Sequence, residues 1–157
     1  MLRPPRVHSL PRVALKQGRQ TMSDLGPREA LVHLMVSMAA ADGAISDHEL
    51  RELQAILDTL PVFEGFDRGR LNGISERCSH ILEQEDGLQT IIDNLMSALP
   101  QKLYETAYAL AIEVAASDVH ASQPELRFLE MLRDAFELDR LTAGAIEHSA
   151  RVRYRRL

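Results

Sequence analysis

The chain repeats itself. Sliding it by 76 residues sets 29–60 on 105–136 without a gap. Identities include Glu29/Glu105, Ala39/Ala115, Ala40/Ala116, Asp42/Asp118, Ser46/Ser122, Glu49/Glu125, Leu50/Leu126, Arg51/Arg127, Leu53/Leu129 and Asp58/Asp134. That is about ten identities where ordinary composition gives roughly two or three. Shared amphipathicity accounts for matched Leu and Ala, but not for matched Asp, Ser, Glu and Arg in a connecting loop. A duplicated unit of this size constrains the fold to two similar halves about a pseudo-two-fold axis.

Each half reads as helical. Apolar residues recur at i, i+3, i+4, i+7 in Leu31, Leu34, Met35, Met38 and in Leu50, Leu53, Ile56, Leu57, Leu60. Leu71, Ile74, Cys78, Ile81 and Leu88, Ile91, Ile92, Leu95 continue the pattern, as do Leu126, Leu129, Leu132, Phe136. No convincing alternating strand appears. Pro27 and Pro100 sit where helices begin, and Gly43 where one ends. Ser46 with Glu49 and Ser122 with Glu125 form capping-box patterns; Asp67 and Asp139 are candidate N-caps. The spacing predicts an all-α fold of about seven helices: 27–41, 46–60, 67–84, 88–98, 100–116, 122–137 and 140–154. The 88–98 helix joins the halves.

Charge divides the chain. Residues 1–21 hold Arg3, Arg6, Arg12, Lys16 and Arg19, and 151–157 hold four Arg, with no acid in either stretch. All 23 Asp and Glu lie between, so residues 22–150 carry a net charge of −14. Such a body is unsuited to nucleic acid, whose binding rests on cations; it suits divalent cations or basic partners. Residues 1–21 are expected to be a disordered basic extension, or a mis-assigned start with Met22 as the true initiator, ahead of a helical domain over 22–157. The competing reading is an arm for anionic lipid or nucleic acid. No apolar run approaches the ~18 residues of a membrane span, although the RVRYRRL terminus leaves peripheral contact with anionic lipid open. One cysteine, Cys78, excludes a disulfide framework and makes the cytoplasm the default compartment. Cys78 falls on an apolar helix face with His80 off it, which reads as a core thiol and not a dyad.

The two loops, Ala41–Glu49 and Ser117–Glu125, each carry an Asp and a Glu seven residues apart. Neither is an EF-hand. Setting Asp42 at loop position 5 places Gly43 at 6 and Glu49 at 12, but positions 1 and 3 become Met38 and Ala40; the second loop fails identically at Val114 and Ala116. Facing corners could instead pool Asp42, Glu49, Asp118 and Glu125 on one hard cation, Ca²⁺ or another divalent ion. His48 and His120 could turn the site toward zinc, but they are not equivalent in the repeat. The same acids have structural uses, the Glu residues as N3 caps favoured by the helix dipole and the Asp residues as turn formers. Both readings stand at this level.

The loop ADGAISDHEL after a Met/Ala-rich helix, with its second copy at 118–125, resembles the tellurite-resistance TerB family from about Leu31 to Arg140. The first copy matches the signature at Asp42, Gly43, Ile45, Ser46 and Glu49. The second matches at Asp118, Ser122 and Glu125 and departs at Val119. The resemblance implies an all-helical domain of two halves with clustered acids, without established catalysis, and an association with stress-response modules. For these a role in metal or Ca²⁺ sensing at the inner membrane face has been put forward; the domain also occurs in a DnaJ-like co-chaperone. No phosphate loop and no Gly-x-Ser-x-Gly elbow is present. A paired-carboxylate hydrolase ranks last in a chain with no Trp. The expected function is therefore a non-catalytic, metal-responsive module, or alternatively an acidic protein-interaction module that binds a basic partner without metal.

Overall fold

A computed structural model describes residues 25–118 and 120–157. The predicted extension over 1–21 and the departure at Val119 lie outside the described residues. The described chain is all-helical: α1 (Pro27–Ala39), α2 (Asp47–Thr59), α3 (Leu71–Leu82), α4 (Gly87–Ala98), α5 (Tyr104–Ser117), α6 (Gln123–Ala135) and α7 (Arg140–Arg153). Short 3-10 turns at Pro61–Phe63, Arg68–Arg70 and Gln101–Leu103 precede α3 and α5. Two predicted helices therefore start later than their N-cap signals. Asp67 and Pro100 open the 3-10 turns instead.

The remaining punctuation works as its chemistry requires. Ser46 and Ser122 each accept from the amide three residues on, and Glu49 and Glu125 each return a bond to the Ser backbone N–H at 2.6 Å. The Asp139 carboxylate accepts from the amides of Leu141 and Thr142 and holds its own pKa low through the Thr142 bonds. Gly43 lies inside the first corner at φ 141, a conformation that a side chain resists, while α1 itself is capped earlier, at Ala40.

α1 and α5, the repeat's equivalent helices, pack on each other at the centre. Every residue of α1 from Ala30 to Ala39 is buried, not only the apolar stripe. α3 lies on α1 as α7 lies on α5. The partners of these two central helices on all sides explain why their polarity is so weakly one-sided, and why His33 and Ser37 are enclosed. Tyr108 donates to Glu147 at 2.7 Å, and Glu113 takes both guanidinium nitrogens of Arg153, at 2.9 and 2.6 Å, plus the Tyr154 hydroxyl at 2.6 Å. These bonds strap α7 to α5. They hold the Glu113 carboxyl below its ordinary range, the Arg153 bond first among the causes.

Candidate functional site

The two acidic corners are built alike and sit differently. Each begins where a central helix runs out of apolar residues and each ends in a capping box opening α2 or α6. In the first corner Asp42 is exposed and Glu49 half-buried. In the second Asp118 is half-buried, and Glu125 is only 3% exposed.

Burial pushes the Glu125 carboxyl above the ordinary range. The Ser122 hydrogen bonds oppose that rise, and the charges of Asp42 and Asp118 add to it. Asp42 belongs to the first half and Asp118 to the second, so carboxylates from both corners share one field. Among the described residues, no group of three or more His, Cys, Asp or Glu is drawn together tightly enough to hold a metal ion. In both corners one Glu oxygen, Oε2, is committed to the cap. His48 and His120 are exposed.

A second polar cluster went unread in the sequence. His33, on α1, is fully buried, and its Nδ1 lies 3.4 Å from the Cys78 Sγ on α3. Burial pushes the Cys78 thiol up to about 11 and, with the fields of Arg77 and Arg70, pulls His33 down to about 4. Both groups are therefore neutral at pH 7; the His33 tautomer sets which of them donates across the Nδ1–Sγ contact, and the thiol also reaches the His33 carbonyl at 3.7 Å. His33 Nε2 and Ser37 Oγ are buried without a hydrogen-bond partner among the described residues. The partner of Cys78 is thus His33, 45 residues away, and not His80. Periodicity carried no signal for it, because His33 stands in a helix apolar all round.

No helix among the described residues is long and apolar enough to cross a membrane. No curated protein and no solved structure matches the chain. The family profile for "Tellurite resistance protein TerB" matches residues 28–148. Duplicated capping boxes, two acidic corners and an all-helical body span that same region, and the chain belongs to the TerB family.

Proposed function

We propose that the chain is a non-catalytic stress-response module of the cytoplasm that binds a divalent cation at its paired acidic corners. The carrying observation is Glu125, a carboxylate almost closed to solvent and faced by the charges of Asp42 and Asp118. Three like charges in one field with partial burial are unfavourable, and a cation offsets that cost. The donors are hard oxygens, which select Ca²⁺ or Mg²⁺ over thiolate-seeking metals. Asp42, Asp118 and the Oε1 atoms of Glu49 and Glu125 would serve as ligands, with the caps kept on Oε2. Loop carbonyls and water would complete the six to eight oxygens Ca²⁺ takes. Binding requires the exposed Asp42 side chain to close on Glu125.

The test is thermal unfolding of metal-free protein titrated with Ca²⁺ and Mg²⁺. Ion at 100 times Kd stabilises by about 2.7 kcal/mol, about 5–10 °C for a domain of this size. The double variant Asp42→Asn/Asp118→Asn should lose the rise. No shift at millimolar ion, or an equal shift in the double variant, refutes the proposal. The −14 charge of residues 22–150 favours a second reading, capture of a basic partner without metal. Salt-sensitive binding that survives chelation is its signature.

A further inference from the structure

Among the described residues the duplication leaves one helix without a counterpart. α4 packs against α1, α3 and α6. The pseudo-two-fold exchanges α1 with α5, α3 with α7 and α6 with α2, so an equivalent seat lies between α5, α7 and α2. That seat is open. A groove of about 520 Å³ runs there, lined by Ile56 of α2 and its C-cap Leu60, by Ala109 and Leu110 of α5, and by Arg153 of α7 and its C-cap Tyr154.

The repeat makes the comparison residue by residue. Leu34 and His33 on α1 correspond to Leu110 and Ala109 on α5, while Leu132 of α6 and its C-cap Phe136 correspond to Ile56 of α2 and its C-cap Leu60. In the first seat α4 buries Ile91, Ile92 and Leu95, and Phe136 is 4% exposed; Leu60, its equivalent, is 37% exposed. Two equivalent positions have also changed chemistry. Glu52 stands where the second half has Phe128, and Glu113 where the first half has Ser37. Both line the open groove. A wholly apolar occupant would bury Glu52 without a partner, which is costly. An occupant bearing cations at that edge would meet it, within a body that is strongly acidic overall.

We infer that the α2–α5–α7 groove seats a basic amphipathic helix of about three turns supplied by a partner protein. Its apolar edge lies on Ile56, Leu60 and Leu110, and its Lys or Arg side chains face Glu52, since the Glu113 carboxylate is already held by Arg153 and Tyr154. This helix-in-groove mode needs no metal and does not rest on the cation reading.

The probe is a fluorescein-labelled peptide of sequence Gly87–Leu99 carrying Gln89→Lys and Asp93→Lys, the two charged edits falling on exposed positions of α4. It is titrated by anisotropy against the full chain in EDTA, so that failure here and failure of the cation reading are separate results. Saturable binding is expected, weakened tenfold or more by Ala109→Arg, by Glu52→Lys and by removal of the two lysines from the peptide. Amide shift changes in the unsubstituted chain should map to α2, α5 and α7, which keeps the test decisive if a variant fails to fold. The inference is overturned by absence of saturable binding, by equal affinity in both variants or for the lysine-free peptide, or by shifts on another face. It is equally overturned if the groove of the free chain is filled by residues 1–24, seen as intramolecular contacts, or by a second copy, seen as concentration-dependent association.

Discussion

Acid should destabilise this protein through one histidine. His33 is fully buried, and its folded pKa is about 4 against an ordinary 6.5. The folded value is the lower one, so the unfolded chain binds the proton more tightly between the two. Stability from this residue is therefore present above pH 6.5 and lost as pH falls toward 4. A gap of about 2.5 pH at 1.36 kcal/mol per unit gives about 3.4 kcal/mol in full, of which about 2 kcal/mol is gone by pH 5. Carboxylates also titrate in this range, so the wild-type curve alone does not isolate the histidine. The comparison is with His33→Leu, which cannot titrate and removes the orphaned Nε2. Urea unfolding of both proteins at pH 7, 6 and 5 gives the assay, and the carboxylate contribution cancels in the difference. The wild type should lose about 2 kcal/mol more than the variant between pH 7 and pH 5. Parallel curves would refute the reasoning, since they mean that His33 accepts its proton in the folded state as readily as in the unfolded one.

Two further substitutions follow from packing and charge. A Cβ on Gly87 would run into the Ile81 carbonyl and come within 2.8 Å of the Leu82 Cα, so Gly87→Ala forces α4 off the end of α3 and should cost about 1–3 kcal/mol, read as a fall in the urea midpoint at unchanged slope. Glu125→Gln keeps an oxygen for the Ser122 cap but removes a buried charge. The raised carboxyl pKa means that this residue's stabilisation is lost as pH rises past its folded value, so the variant should melt higher than wild type at pH 7 in chelator and respond less to divalent ions; an unchanged melting temperature counts against a shared field.

The fold was legible because local signals and the repeat agreed. Ser46, Ser122 and Asp139 have short side chains whose oxygens reach the free N–H groups of a first helical turn, and all three cap the helix that the spacing predicted. Asp67 and Pro100 misplaced two helix starts, because a 3-10 turn and a first α-turn present the same orphan donors to a cap. The candidate site was only half legible. Sequence placed an Asp and a Glu at each corner, but gave Glu49 and Glu125 equal standing. Their burial differs because it is set by what packs around each corner, which the repeat does not encode. The His33–Cys78 contact is a third kind of case. It joins residues of two helices, and no one-dimensional period can report which side chains meet across an interface.

The places where the halves stop matching carry the functional argument. A duplicated unit that kept both halves equal would present two identical half-exposed corners and two identical helix seats. Here one seat holds α4, while the other keeps its apolar floor and gains Glu52 and Glu113. One corner Glu is sealed while its equivalent stays half-open. Glu52 lies three residues beyond Glu49 on α2, so one helix carries both the edge of the open groove and the cap of the first corner. α2 buries only Leu53 and Leu57 fully, whereas α6 buries Glu125, Phe128, Leu129 and Leu132. A helix with so little buried apolar surface is held less firmly than α6. A shift of α2 is therefore the response to an ion at its N-terminus that requires little unpacking. Such a shift would change the width of the groove along its side. Cation binding and helix binding would then be coupled through α2, with each ligand altering the other's affinity by the same factor. Equal peptide affinity in Ca²⁺ and in EDTA would show that the two sites act independently.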